Sequence, residues 1–364
     1  MTERSSPAPQ VGQLLSQTEI GAEALIPGAQ SGFLLRYSSL DGLDDVTPIE
    51  VTGALYIPAG EAPEGGWPLL AWSHGTVGVA DVCAPSTAGR SARDLTYLSH
   101  WLERGYAIVA SDYQGLGTEG VHPYMASRPM AYSTLDGIRA VQQAGFPLTK
   151  AVVVTGQSQG ASAAIATAGL AASYAPEVDL RAISATGVPY FPPSILAAVT
   201  SGPPDEPMPN VTFALYMLTL GELVDPEFVL KDAVSEDVWQ VVSQAYEKCG
   251  ADFKNEAESS RLTPRQIITD KTRGVQDAAF EAMAYPSFEL SVPAFIGMGE
   301  IDSTTPLFMQ QLFVAEACEA GSHIQAQMYS GADHDGGLLQ SIPDAELFID
   351  AAFKGGPLPN NCER

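Results

Sequence analysis

Short apolar runs, each about the length of a β-strand, alternate along this chain with segments of helical periodicity. The strand-like runs occupy residues 49–57, 69–73, 106–110, 151–155, 180–188, 292–298 and 324–329. Helical patterns cover residues 95–104, 158–173, 307–320 and 345–353, and residues 11–26 suggest a short helix and its lead-in. Strands that are apolar along their whole length are typical of a parallel sheet buried on both faces. The sequence therefore predicts an α/β fold, with a mostly parallel sheet flanked by helices.

The segment 190–287 breaks this alternation. It begins with proline- and glycine-rich sequence at 192–193 and 202–204, which is typical of loops. It continues with helical patterns at 213–223, 234–248 and 274–284 and has no run like the other strands. We expect a mainly helical cap, or lid, inserted into a core formed by residues 1–189 and 288–364. The alternative is a set of peripheral helices with no role in substrate binding.

The composition excludes several classes of protein. Of 364 residues, 43 are acidic and 18 basic, which leaves a net charge of −25. Phosphate backbones and anionic membranes repel such a surface, so nucleic acid is not an expected partner. No run of about 18 apolar residues occurs, so the sequence predicts no integral membrane segment.

The motif G-Q-S-Q-G at residues 156–160 is the strongest chemical signal. It directly follows the strand-like run 151–155 and begins a helix of small residues, which is the setting of a nucleophile elbow in the α/β-hydrolase fold. The sharp turn exposes the hydroxyl of Ser158 above the sheet edge. The alternative is a glycine-rich turn with an inert serine.

A serine hydroxyl needs a base within hydrogen-bond reach, and the base needs a carboxylate to orient it. In this fold the order along the chain is serine, acid, histidine. Only His323 and His334 follow Ser158. His323 begins a strand, whereas His334 lies in the loop after the last strand, so we assign His334 as the base.

The acid is expected after the strand-like run 292–298, where Glu300 and Asp302 both qualify. We prefer Asp302 because it lies deeper in the loop, just before the next helix. Asp333 and Asp335 are close to His334 only in sequence, and we interpret them as solvated or as electrostatic support.

The oxyanion of a tetrahedral intermediate requires N–H donors. One donor is expected to be the backbone of Gln159, immediately after the nucleophile. The other is expected from Thr76, in the S-H-G-T sequence at 73–76. His74 is interpreted as a brace for that loop, and Asp112 as a residue that holds a tight turn.

The cysteines and the remaining motifs leave the compartment open. Cys83, Cys249, Cys318 and Cys362 contain no C-x-x-C pair, which argues against a zinc or thioredoxin-like site. They could be free thiols or two disulfides, and three pairings are possible. The first ten residues are polar and are not a signal peptide. No P-loop, H-E-x-x-H, EF-hand or Rossmann motif occurs, so no metal and no organic cofactor are expected.

Several motifs together resemble those of the secretory lipase family. They are S-H-G-T at 73–76, D-V-C-A-P-S at 81–86, D-Y-Q-G-L-G at 112–117 and G-Q-S-Q-G at 156–160. Asp302 and His334 match in place and order, and the similarity runs from about residue 30 to the end. The resemblance implies an α/β-hydrolase fold with a helical cap over the active site, acting on carboxylic esters.

The resemblance also implies a secreted or periplasmic protein whose signal peptide lies outside this chain. It further implies two disulfides, Cys83–Cys249 between core and cap and Cys318–Cys362 near the C-terminus. Bridges that close loops this long would each contribute about 3–5 kcal/mol to stability.

The function expected from these residues is that of a serine carboxylic-ester hydrolase, an esterase or lipase that works through an acyl-enzyme. Its triad is Ser158, Asp302 and His334, and its substrate is a small-molecule or lipid ester. A peptidase or acyltransferase with the same triad is the alternative among enzymes. A non-catalytic binding protein on this fold is the alternative outside them.

Overall fold

The computed structural model describes residues 11–192 and 203–362. Within these ranges nine strands form one sheet, in the order β1-β2-β3-β5-β4-β6-β7-β8-β9. Their bounds are β1 Leu14–Glu19, β2 Ala29–Leu40, β3 Pro48–Pro58, β4 Trp67–Ser73, β5 Ala107–Ser111, β6 Leu148–Gln157, β7 Asp179–Thr186, β8 Ala294–Gly299 and β9 Ile324–Tyr329.

The core helices are α1 Pro85–Ala88, α2 Ala92–Glu103, α3 Ser127–Gln143, α4 Gln159–Tyr174, α11 Leu307–Glu319 and α12 His334–Lys354. Between β7 and β8 lie α5 Val211–Val224, α6 Leu230–Ala233, α7 Glu236–Val242, α8 Gly250–Ser259, α9 Pro264–Ile267 and α10 Asp270–Met283. Short 3-10 turns cover Ala22–Ala24, Asp81–Cys83 and Ser243–Tyr246. No helix in these described ranges combines the length and the hydropathy needed to cross a membrane.

The sheet confirms the predicted α/β-hydrolase architecture. Strands β5, β4, β6, β7, β8 and β9 pair in parallel, and β1, β2 and β3 add an antiparallel edge. The expected helix at residues 11–26 is wrong, because residues 14–19 form the edge strand β1 against β2. Its side chains are mostly exposed, so no apolar alternation marks it as a strand.

Two helical layers cover the two faces of the sheet. Leu69 and Ala71 of β4 belong to the cluster formed with α3, α4 and α11. Leu70 and Trp72 of the same strand belong to the opposite cluster, which includes α2 and α12. Successive side chains of a strand point to opposite faces, so a strand buried on both sides is apolar throughout.

The helices between β7 and β8 pack around an apolar cluster of their own. It includes Leu215, Tyr216 and Phe253 from these helices and Tyr124 and Met125 from the core. The helix expected at 234–248 ends earlier, at α7, and continues as a 3-10 turn, a common ending for a helix. Of the proline- and glycine-rich opening, residues 193–202 lie outside the described part of the chain.

Both expected disulfides are confirmed. Cys83, in the 3-10 turn before α1, bonds to Cys249, the residue that caps α8. Cys318 of α11 bonds to Cys362 near the C-terminus. Their Cα–Cα distances of 5.4 and 5.3 Å are ordinary for disulfides. The first bridge therefore ties the sheet domain to the helices between β7 and β8.

Candidate active site

The expected catalytic residues follow strands that end at one edge of the sheet. Strands β4, β6, β7, β8 and β9 are neighbours in the parallel part, and their carboxyl ends therefore lie together. Ser158 follows β6, Asp302 follows β8 and His334 follows β9. Ligands of open α/β sheets bind at this edge.

Ser158 occupies a strained turn between β6 and α4. Its backbone has φ 59° and ψ −123°, a region that residues other than glycine rarely adopt. Its N–H donates to the carbonyl of Thr186 (2.9 Å). A Cβ on Gly156 would lie 2.1 Å from the carbonyl oxygen of Gly160, and one on Gly160 would lie 1.9 Å from that of Ser73. The two glycines let the chain turn this sharply.

His334 and Asp302 form a partly buried hydrogen-bonded pair. The Nδ1–H of His334 donates to Oδ2 of Asp302 over 2.7 Å. The carboxylate is almost fully buried, whereas the imidazole side chain is 18% exposed. Because Asp302 holds the proton on Nδ1, it leaves the Nε2 lone pair free to accept one.

Residues next to Asp302 orient its carboxylate. The backbone N–H groups of Thr304 and Thr305 donate to Oδ1 (2.8 and 2.9 Å), and the Thr305 hydroxyl donates to Oδ2 (2.8 Å). Burial raises the pKa of Asp302, but hydrogen bonds from His334 and Thr305 and the charge of His334 outweigh it, so the pKa lies below its ordinary value. Thr305 was not predicted from the sequence, although a threonine three residues after the acid is a recognisable turn signal.

The Ser158 hydroxyl and the His334 imidazole are not joined by a hydrogen bond in the described part of the chain. Ser158 and His334 nevertheless both lie next to the turn formed by Thr186 and Gly187. The carbonyl of Thr186 accepts from Ser158, and a Cβ on the next residue, Gly187, would lie 3.0 Å from Cε1 of His334. Catalytic hydrogen bonds are often long in a ligand-free site and tighten with substrate.

The rival candidates have other partners. Oε2 of Glu300 accepts from the Ser330 hydroxyl (2.6 Å) and the Gly331 N–H (2.8 Å). Nε2 of His323 lies 3.0 Å from the carbonyl oxygens of Leu358 and Pro359, near the C-terminus. None of these hydrogen bonds involves Asp302 or His334. The geometry therefore favours Asp302 as the acid and His334 as the base.

His334 is the first residue of α12 rather than a loop residue. Asp333 caps this helix by accepting from the N–H of Gly336 (2.8 Å). Asp335 is exposed and pairs with Arg93 (2.9 Å). The two aspartates therefore hold the start of the helix in place, as structural support for the imidazole.

Thr76 and Gln159, the expected oxyanion donors, lie on two segments that pack together. Gly160 approaches the carbonyl oxygen of Ser73 so closely that a Cβ there would clash. Gln159 is the first residue of α4, where backbone N–H groups have no acceptor within the helix. The hydroxyl of Thr76 lies 2.9 Å from that of Tyr124.

Two residues that could have been read as catalytic have structural contacts, as expected. His74 is fully buried, with Nδ1 2.7 Å from the carbonyl oxygen of Gly75 and Nε2 3.2 Å from that of Asp112. The Asp112 carboxylate accepts from the N–H of Ser86 (2.9 Å) and the hydroxyl of Thr52 (2.8 Å). Both side chains hold loops behind the site.

His122 is a site residue that sequence analysis missed. It is fully buried, and its Nε2 lies 2.6 Å from Nε2 of Gln159. It lies between β5 and α3, five residues after the D-Y-Q-G-L-G motif at 112–117, which does not include it. Only the folded chain brings it to the first residue after the elbow.

An apolar cavity of about 420 Å³ adjoins the elbow. Ser158 and Gln159 line it on the core side, together with Thr304 and Thr305. Much of the rest of its lining comes from the helices between β7 and β8, including Phe213, Ala214, Met217, Leu218, Ile267, Val275, Ala279 and Phe280. Such a site favours a hydrophobic ligand beside the serine.

Solved structures share this architecture. Lipase A of Candida antarctica in its closed state superposes with a TM-score of 0.73 at 21% identity, covering 96% of this chain and 84% of that one. A ligand-bound rice cell wall degrading esterase LipA from Xanthomonas oryzae gives 0.72 at 20% identity, covering 96% and 100%. At these identities the likeness supports the α/β-hydrolase fold.

Curated relatives and a family model agree with this fold. Lipase A of Moesziomyces aphidis is 25% identical over 274 residues, and Lipase 10 of Candida albicans is 26% identical over 303. These matches cover 70% and 77% of this chain, which spans 56% and 62% of the two relatives' lengths. The family model for secretory lipases matches residues 84–361, about three quarters of the chain. This chain therefore belongs to the secretory lipase family.

Proposed function

We propose that this protein is a serine carboxylic-ester hydrolase with Ser158 as nucleophile, His334 as base and Asp302 as the orienting acid. The main support is the 2.7 Å pair of His334 and Asp302, which lies at the same sheet edge as a serine on a strained elbow. The elbow adjoins an apolar cavity, which suits the acyl part of an ester.

In the first half of the reaction, the Ser158 hydroxyl attacks the ester carbonyl carbon while its proton moves to Nε2 of His334. The carbonyl oxygen becomes an oxyanion and accepts hydrogen bonds from the backbone N–H groups of Thr76 and Gln159. The intermediate then collapses. The carbon–oxygen bond to the alcohol breaks, and His334 gives its proton to the departing alkoxide.

In the second half, a water molecule attacks the acyl-enzyme and His334 takes its proton. Collapse of this second intermediate releases the carboxylic acid and returns the proton to Ser158. Asp302 stays ionised throughout and stabilises the imidazolium that forms twice in the cycle.

We also propose that residues 190–287 act as a cap over a core of residues 1–189 and 288–364. The helices between β7 and β8 supply much of the cavity lining next to Ser158, which supports a role in binding the acyl chain. One relative, LIP5 of Malassezia furfur, is named a secreted triacylglycerol lipase, and a structural neighbour is named a cell wall degrading esterase. Esters with an apolar acyl chain are therefore the proposed substrate class.

A fluorophosphonate probe tests the nucleophile. We expect one covalent adduct per folded chain, located on Ser158 by peptide mass spectrometry and absent from Ser158→Ala. Ser162→Ala is the matched control, because Ser162 is a buried serine one turn further along the same helix. Labelling that persists in Ser158→Ala, or no labelling of the folded wild type, would reject the proposal.

p-Nitrophenyl esters with acyl chains from two to sixteen carbons test the substrate class. We expect turnover of esters with apolar chains, and much slower turnover of the matching p-nitroanilides. Faster cleavage of the anilides would indicate a peptidase, and product formed only with an added alcohol would indicate an acyltransferase.

A further inference from the structure

The side chain of Gln159 is held by a buried histidine. Nε2 of Gln159 and Nε2 of His122 are 2.6 Å apart, and both side chains are inaccessible to solvent. Gln159 directly follows the elbow serine and carries one of the two proposed oxyanion donors on its backbone. Whatever orients its side chain therefore also restrains that peptide group.

The protonation of His122 follows from its other contact. Its Nδ1 lies 2.8 Å from the carbonyl oxygen of Gln114, which can only accept a hydrogen bond. Nδ1 therefore carries the proton, and the Nε2 lone pair accepts from the Gln159 amide. Burial lowers the pKa of His122 to about 3, so the ring stays neutral wherever a triad histidine can act as a base.

The other end of the Gln159 amide has no partner of its own in the described part of the chain. Oε1 of Gln159 is buried and has no hydrogen-bond partner within the described ranges. A buried polar atom without a partner destabilises the fold. Methionine would remove this unpaired oxygen, but it would leave the buried Nε2 of His122 without a donor, so the hydrogen bond to His122 accounts for a glutamine at this position.

A stack of three buried rings connects His122 to the other oxyanion segment. The ring of Tyr113 lies between those of His122 and His74, with centroid distances of 5.8 and 4.3 Å and interplanar angles of 18° and 28°. Its hydroxyl also donates to the carbonyl of His74 (3.1 Å). His74 lies two residues before Thr76, the second proposed donor.

The backbone of Tyr113 supports a specific role for this stack. It has φ 70°, in the left-handed region, although the residue is neither glycine nor asparagine. Strain of this kind destabilises the fold and tends to occur near functional sites. The strained residue is therefore the one whose ring lies between the two histidine rings.

We propose that His122 is a positioning residue, which acts through Gln159 and the stacked rings of Tyr113 and His74 to set the spacing of the two oxyanion N–H donors. This proposal rests on the proposed function. It predicts an effect on the tetrahedral intermediate rather than on substrate binding, because the oxyanion forms only after attack.

Two substitutions of His122 test its two hydrogen bonds one at a time. His122→Asn retains an N–H near the Nδ1 position for Gln114 but removes the acceptor for Gln159. His122→Gln retains an oxygen acceptor near the Nε2 position. Gln159→Met removes the same contact from the other side, and His100→Asn is the control, since His100 lies on α2 and contacts Glu346.

The parameters kcat and KM are measured with a p-nitrophenyl ester. The maximal rate is divided by the concentration of active sites, which is the amount that a fluorophosphonate labels at completion. We expect kcat of His122→Asn to fall about 10-fold with KM within about 2-fold, because loss of a whole oxyanion donor costs about 100- to 1,000-fold. His122→Gln should recover most of the loss. The inhibition constant of an alkylboronic acid, which forms a tetrahedral adduct with serine, should rise in parallel with the loss of kcat.

Each outcome counts for or against the proposal. His122→Asn and Gln159→Met should not be additive, because they remove one contact. Additive losses, a kcat of His122→Asn within about 2-fold of wild type, or failure of His122→Gln to recover would overturn the positioning role while leaving the hydrolase intact. If His122→Asn does not fold, Gln159→Met and the boronic acid decide. A wild type that neither labels nor turns over esters would instead reject the proposed function.

Discussion

At the residue scale, the Asp302 carboxylate is oriented before any substrate arrives. Thr304 and Thr305 donate to it together with His334, so its two oxygens have fixed partners. Burial raises its pKa, but these partners lower it to below the ordinary value of about 4. Its contribution to stability is therefore complete above about pH 4 and is lost as the pH falls through the lower folded pKa.

Asp302→Asn should remove the charge that stabilises the imidazolium of His334 and permit the wrong ring tautomer. We expect kcat/KM for a p-nitrophenyl ester to fall about 10³- to 10⁴-fold. Glu300→Gln is the matched control on the same loop and should stay within about 2-fold of wild type. If instead Glu300→Gln shows the larger loss, Glu300 is the acid and our assignment is wrong.

At the scale of elements, α4 is built to lie very close to the sheet. Its sequence is rich in alanine and glycine, and its first half is buried against β4, β6 and β7. Small side chains let the helix begin within one residue of the end of β6. This is why the elbow can present Ser158 at the sheet edge.

Two glycines of α4 should respond oppositely to alanine. In Gly160→Ala the new Cβ would lie 1.9 Å from the carbonyl oxygen of Ser73, so we expect misfolding or a loss of activity. In Gly169→Ala the atom nearest to the new Cβ is the backbone nitrogen of Ser287, 3.4 Å away, which is an ordinary van der Waals distance. That change should raise stability by about 0.5–1 kcal/mol, because glycine weakens a helix interior. Urea unfolding measures both, and a tolerated Gly160→Ala would contradict the close packing.

The helices between β7 and β8 should set the acyl-chain preference. Ala214 of α5 is half-buried and lines the cavity beside Ser158. Ala214→Phe should fill part of this space and lower kcat/KM about 10-fold or more for long-chain esters, with little effect on acetate. Ala278→Phe is the control, since Ala278 is half-buried on α10 but does not line this cavity. Equal effects of both changes on all chain lengths would contradict a binding role for the cap.

At the scale of the whole molecule, the family and the two disulfides identify a secreted protein. Acidic residues greatly outnumber basic ones, and tyrosine hydroxyls donate to several of the carboxylates. The pairs are Tyr106–Asp350, Tyr132–Asp45, Tyr174–Asp136, Tyr190–Glu316, Tyr246–Glu222 and Tyr329–Asp344. Asp45, Asp136 and Asp350 also form ion pairs with Arg128, Arg139 and Lys354, so the tyrosine hydroxyls supply these carboxylates with donors in addition to the cations.

Salt should stabilise this protein. A net charge of −25 means that repulsion between carboxylates opposes the compact state, and added ions screen it. We expect the melting temperature to rise between 10 mM and 500 mM sodium chloride at pH 7, by about 1–2 °C for each kcal/mol gained in a chain of this length. Calorimetry at several salt concentrations measures this. A falling melting temperature would mean that the surface ion pairs outweigh the repulsion.

The sequence alone was sufficient for the features that depend on neighbouring residues. Apolar runs of strand length predict the sheet, and a serine between glycines at a strand-to-helix junction predicts the elbow. The order of Ser158, Asp302 and His334 followed from their places after particular strands. The resemblance to secretory lipases supplied the disulfide pairing, which spacing alone left open.

Tertiary structure decided what depends on distant segments meeting. The strand β1 forms because its backbone pairs with the edge of β2. Backbone hydrogen bonds do not depend on side-chain polarity, so the sequence of β1 has no apolar pattern. The contact of His122 with Gln159 joins positions 37 residues apart, and the cavity combines side chains from both sides of the elbow. Local periodicity encodes which face of an element is buried, whereas the partner it meets depends on the path of the whole chain.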